Sequence, residues 1–194
     1  SWILFATSII FPILLWFLIS QYAGIDSIFL PSPTNVIEAL RNLWSKGYLS
    51  KDIGSSFTRV SLGFLFSAMV AIPLGIMIGT FASIRALFEP IIGIVRYMPA
   101  PAFIPLLIIY LGIDEAPKIA LIFIGTVFFN VLMIMDSVKF VPRDLIETTY
   151  TLGGNRWQVL SQVISPYIVP RIIDTFRVNM AASWNLVVVA ELLA

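Results

Sequence analysis

No charged residue precedes Asp26, and none falls between Arg59 and Arg85. A helix rises about 1.5 Å per residue and the hydrocarbon layer is about 30 Å thick, so about 20 consecutive apolar residues cross it. Two uncharged runs of this length commit the chain to a bilayer. The composition agrees: 59% of the 194 residues are apolar and 12% are charged, where a soluble domain carries about 25% charge.

Five segments satisfy the length requirement: 2–20, 60–84, 90–112, 119–135 and 178–194. The first lacks the basic leader and small-residue cleavage site of a signal peptide. The third is interrupted by Arg96 and by Pro99, Pro101 and Pro105. The fifth follows Arg171, Asp174 and Arg177 and runs to the last residue. The expectation is an all-α membrane protein of about six spans, five of them visible, with a further span after Ala194.

Loop charge sets the orientation. The 137–177 connection holds Lys139, Arg143, Arg156, Arg171 and Arg177, whereas the 113–118 turn holds Asp114 and Glu115 with Lys118 alone. The first is therefore expected in the cytoplasm and the second outside. Parity then puts the 21–58 connection outside, although it carries Arg41, Lys46 and Lys51.

The chain has no His and no Cys. That removes Ser-His and Cys-His nucleophiles, His or thiolate metal sites and disulfides. No catalytic residue and no metal ligand set is expected. A net charge of +1 gives no nucleic-acid footprint.

The cytoplasmic segment 144–166 carries the strongest local signal. Asp144 followed by Glu147 has the spacing of a capping box and predicts a helix from Leu145 to Leu152. Gly153 and Gly154 break it. Asn155 with Gln158 repeats the cap pattern and predicts a second helix from Arg156 to about Ile164, ended by Pro166. On that helix Trp157, Leu160, Val163 and Ile164 share one face, with Gln158, Ser161 and Gln162 opposite. Periodicity leaves two readings open: an interfacial pair on lipid headgroups, or an element docked in the groove of a soluble partner.

Glu147-Thr148-Thr149, Gly153 six positions after the glutamate, and then Val163 and Pro166 resemble the EAA loop of ABC importer permeases. Thr148 and Thr149 stand where alanines are usual. Leu30-Pro31-Ser32-Pro33, Ser56-Phe57-Thr58-Arg59-Val60 with Gly63, Pro73-Leu74-Gly75, the proline-rich 96–106 stretch, and Ala182-Ser183-Trp184 with Ala190-Glu191 are similar to the nitrate, sulfonate, taurine and bicarbonate branch. Pro99-Ala100-Pro101-Ala102-Phe103 departs from the Pro-Pro-Leu-Ala-Trp usual there.

The resemblance implies a type I ABC importer transmembrane domain of the MetI-like kind, in a bacterial inner membrane. It implies a second permease copy, two cytoplasmic ATPase subunits and an external solute-binding protein. Glu147, Gly153, Gly154, Arg156, Trp157 and Pro166 would then form the coupling element. The chain has no Gly-x-x-x-x-Gly-Lys-Ser/Thr loop, so ATP and Mg would be held by the partner ATPases and no cofactor by this chain. The implied solute is a small anion; a neutral-solute importer, and a channel or secondary transporter, are the alternatives.

Within the spans, Gly63, Ser67, Ala71, Gly75 and Gly79 recur every four residues and read as a helix-packing seam. Arg96 is costly at membrane depth. It either snorkels or pairs with Glu89, or it lines a pathway beside Met98 and Pro99, where freed backbone is tolerated around a cavity. Asn130, Asn179, Ser183, Trp184 and Glu191 are further pathway candidates, with interhelical hydrogen bonding as the competing role.

Overall fold

The computed structural model describes residues 2–22 and 24–192, and among these it contains helices and no strand. The chain forms two compact units, 1–55 and 56–194.

The first unit holds α1 (Trp2–Tyr22), α2 (Pro33–Ser45) and the opening turns of α3 (Tyr48–Thr80). α1 is apolar all round, and none of its apolar window from Leu4 to Tyr22 is buried, the mark of a helix that meets lipid or another subunit. The Trp16 indole donates to the Pro31 carbonyl at 3.0 Å. Ser32 caps α2 by accepting from the Asn35 N–H at 3.3 Å, and Pro33 at the first position has the φ a helix start needs. Gly47, at φ +73°, turns the chain from α2 into α3.

The second unit contains the rest of α3, then α4 (Ala82–Val95), a 3₁₀ turn (Ala100–Phe103), α5 (Ile104–Leu111) and α6 (Glu115–Val138). There follow α7 (Arg143–Thr151), α8 (Arg156–Gln158), a π-helical turn (Val159–Ile164) and α9 (Ser165–Glu191). α6 is the axis of this unit, with Leu121, Ile122 and Ile134 fully buried. The small-residue seam of α3 packs on it. A methyl group at Gly63 would come within 2.8 Å of Ile122 Cβ, and one at Gly75 or Gly79 within 2.7 Å of Ile134 or Val138 Cβ. No side chain fits in that gap, so glycine sets the helix separation. Ile168, Ile172 and Val187 of α9 join the same apolar interior, and Phe64 meets Phe176 edge-on at 5.3 Å.

The helices differ from three of the predicted segments. The 60–84 segment starts earlier, at Tyr48, and stops at Thr80, because Arg85 folds back to donate to the last-turn carbonyls of Ile78 and Gly79 while Phe81 is extended. The 90–112 segment is a pair of helices, 82–95 and 100–111, bent by 89°. Pro99 and Pro101 lack the N–H groups that would carry one helix into the next. α9 begins at Ser165 rather than near 178, with Arg171, Asp174 and Arg177 on its exposed side. Among the described residues α1, α3 and α6 are each long and apolar enough to span alone, and the bent pair makes up to four. α9, at 27 residues, is long enough but is not among the helices apolar enough to span. Leu193 and Ala194, the end of the fifth predicted segment, lie outside the described residues.

Candidate functional site

The α7–α8 element is built from backbone requirements. α7 starts at Arg143 after Pro142, without a side-chain cap. Asp144, predicted as the cap residue, instead lies in the first turn, where its carboxylate faces the positive end of the helix dipole. At the other end the Leu152 N–H reaches Thr148 O at 3.0 Å, and the Gly153 and Gly154 N–H groups reach Tyr150 O and Thr149 O at 2.9 Å each. The two glycines are needed for different reasons. Gly153 has φ +85°, whereas a Cβ at Gly154 would lie 2.7 Å from Thr149 O.

Asn155 opens α8 with the predicted capping box. Its Oδ1 accepts from the Trp157 and Gln158 N–H groups at 3.0 Å each, and Gln158 Oε1 accepts from the Asn155 N–H at 2.7 Å. Beyond it the structure corrects the prediction, because Pro166 does not end the helix. The π turn brings both the N–H and the hydroxyl of Ser165 onto Leu160 O. Pro166 then sits in the first turn of α9, where its missing N–H costs nothing. The π winding also shifts the apolar face: Val159 and Ile164 are buried, and Trp157 is 65% exposed, its ring 6.0 Å from Phe81. Glu147, Arg156 and Leu152 are exposed on the same short element.

Around the bend after α4, a cavity of about 240 Å³ is lined by Arg96, Met98, Pro99, Phe103, Gly125, Phe129 and Leu186, among others. Arg96 Nη2 donates to the Tyr97 hydroxyl at 2.7 Å, and the guanidinium carbon lies 4.7 Å from the centre of that ring. Its Nε is buried with no partner among the described residues. Glu89, the partner offered by the sequence, instead faces Lys139 at 4.0 Å. A second cavity of about 560 Å³ is lined by Thr126, Asn179, Ala182, Asn185 and Val189, and shares Gly125, Phe129 and Leu186 with the first. A Cβ at Gly125 would fall 2.5 Å from Leu186 Cδ1, so these two residues form the partition between the spaces.

The remaining candidates separate by role. Asn130 is fully buried; its amide donates to Ser67 Oγ at 2.9 Å and its carbonyl accepts from Asn179 Nδ2 at 2.7 Å. This polar line ties α3 to α6 to α9. Ser183 is buried and bonds to Asn179 O in its own helix at 2.9 Å. Trp184 is 41% exposed on the outside of α9. Glu191 accepts from Arg59 Nη1 at 2.7 Å and from Ser56 Oγ at 2.5 Å. Arg59 also makes a two-pronged contact with Glu115, at 2.5 and 2.6 Å. Sequence reasoning used Arg59 as the edge of a span and as part of a motif shared with the resembled branch, and Glu115 as a loop charge. It missed Gly125, Phe129, Asn185 and Leu186, which carry no chemical signal beyond being small, apolar or amide residues in a helix.

The bundle, with its bent pair and its short helices between α6 and α9, has the fold of an ABC importer membrane domain. It superposes on a chain of the inward-facing MetNI methionine ABC transporter with a TM-score of 0.63 at 17% identity, covering 69% of this chain and 68% of that one. The family model described as "Binding-protein-dependent transport system inner membrane component" matches residues 71–194, and the chain belongs to that family. It is 36% identical over 179 residues to a probable ABC transporter permease protein of Brucella melitensis, covering 92% of this chain and 72% of the relative. It is 32% identical to the taurine transport system permease protein TauC of Escherichia coli, over 92% of this chain and 67% of that protein. Similarity to the nitrate import permease protein NrtB of Synechocystis is 31%, over 84% and 63%. The chain is thus an ABC importer permease component.

Proposed function

We propose that this permease pairs with a second copy in a bacterial inner membrane and carries a small anion inward by alternating access. An external solute-binding protein delivers the solute, and two cytoplasmic ATPase subunits hold ATP and Mg and hydrolyse the nucleotide. The α7–α8 element, with Glu147, Gly153, Gly154, Arg156 and Trp157, seats in the groove of an ATPase subunit. Closure of the ATPase pair displaces it, and the continuous run through the π turn and Pro166 passes the displacement into α9. Nucleotide then biases a packing that has two states.

The observation that supports an anionic solute is the Arg96 guanidinium, which lines the cavity at the bend with an N–H left without an acceptor. A buried donor without a partner costs about 1–3 kcal/mol, and an anion entering the cavity would supply the acceptor. Relatives named for taurine, aliphatic sulfonates and nitrate support the same class. Uptake by the complex in vesicles tests this. Arg96→Ala should lower uptake of sulfonates or nitrate and reduce the discrimination against neutral solutes. Unchanged rate and preference would remove Arg96 from the pathway.

A further inference from the structure

α2 has two unlike faces. At 100° per residue, Val36, Ile37, Leu40, Leu43 and Trp44 fall on one arc, while Thr34, Asn35, Glu38, Arg41, Asn42 and Ser45 fall on the other. No residue of the helix is buried; Ile37 is 65% and Trp44 67% exposed. The apolar arc is therefore uncovered. Three observations identify what covers it.

The first is connectivity, since α2 stands between two helices that each qualify as a span, α1 and α3. The chain thus enters α2 shortly after leaving the α1 span, whereas in α3 Lys51, Asp52 and Arg59 precede the charge-free part. The second is depth. The Trp16–Pro31 hydrogen bond pins the start of α2 to α1 six residues before its end at Tyr22, about 9 Å along the axis. That matches the depth of about 5–10 Å at which an amphipathic helix rests in the headgroup and acyl boundary. The third is residue type. Tyr22, at the end of α1, and Trp44, near the end of α2, are both exposed, and amphipathic aromatics concentrate at this level of a bilayer. The helix carries one acid, Glu38, and one base, Arg41, so apolar burial and not charge holds it.

We infer that α2 is a surface anchor. It lies in the plane of the leaflet on the side where loop parity puts the 21–58 connection, with the Val36–Trp44 arc in lipid and the Glu38–Asn42 arc in water.

The absence of cysteine makes the test direct. Single-cysteine variants Leu40→Cys, Trp44→Cys, Glu38→Cys and Asn42→Cys are placed in the assembled transporter, its other subunits made cysteine-free. They are labelled with a small fluorophore in vesicles of phosphatidylethanolamine and phosphatidylglycerol. Nitroxide-labelled lipids should quench positions 40 and 44 several-fold more than 38 and 42, with iodide showing the reverse order. The pattern should persist when the external binding protein is added or omitted. Protection of 40 and 44 from both quenchers would show that a protein covers the arc and would overturn the inference. Strong iodide quenching at all four positions would overturn it as well, because the helix would then stand in water.

Discussion

Arg59 and Glu191 lie 132 positions apart in the chain and meet at 2.7 Å, and the same guanidinium holds Glu115. One cation therefore joins α3, the start of α6 and the end of α9. In the sequence Glu191 is a pathway candidate, with interhelical hydrogen bonding as the competing role. The structure gives it partners on another helix, Arg59 and Ser56.

Replacing the shared cation tests this role. Arg59→Ala leaves Glu191 without its cation and Glu115 with only Lys118, at 3.9 Å, and should destabilise the unit by about 1.5–3 kcal/mol, the range for hydrogen bonds to charged groups. Glu115→Gln should cost less than about 1 kcal/mol, as its side chain is 53% exposed and exposed pairs contribute little. Thermal unfolding in detergent reads both.

The glycine seam predicts a contrast between two equal substitutions. Gly75→Ala puts a methyl group 2.7 Å from Ile134 Cβ, and overpacking of this kind costs about 1–3 kcal/mol. Gly93→Ala meets nothing within 4 Å and should be neutral or slightly stabilising, since alanine is the better helix former. The melting temperatures of the two variants give the comparison.

For the polar line through the bundle, Asn130→Leu removes both hydrogen bonds that link Ser67 to Asn179. The loss should be about 0.6 kcal/mol per bond, the average for interhelical hydrogen bonds in a membrane protein, with about 1.7 as the upper end. A double-mutant cycle with Asn179→Ala separates it from packing; a coupling energy near zero would show that Asn130 acts through its shape alone.

What the sequence made legible, and what it hid, follows from the range of each interaction. Charge-free runs, the four-residue spacing of small residues and the Asn155–Gln158 cap are written in neighbouring residues, so membrane class and helical fold could be read, and the family through the resemblance carried by Glu147, Gly153 and Pro166. The α3–α6 seam was readable because a small residue, Gly, Ser or Ala, stands at every turn from Gly63 to Gly79. The bend at Pro99 announced itself as an interruption, but proline reports a break without its direction, and the 89° turn depends on packing. Pro166 misled for the same reason: the π turn that absorbs it is invisible in a list of residues. The Arg59 cluster and the Gly125–Leu186 partition join positions far apart in the chain, and nothing local marks them.

Coupling to an ATPase through α7–α8 is the central claim, and purification of the assembled transporter in mild detergent tests it most directly. Gly153 holds φ +85°, so Gly153→Pro cannot keep the turn, while Glu147→Arg reverses an exposed charge without altering the backbone. The wild-type chain should bring down an ATPase subunit, and both variants should lose it while still folding and inserting. If the variants retain the ATPase as well as the wild type does, the element is not the docking site and the account of coupling is wrong.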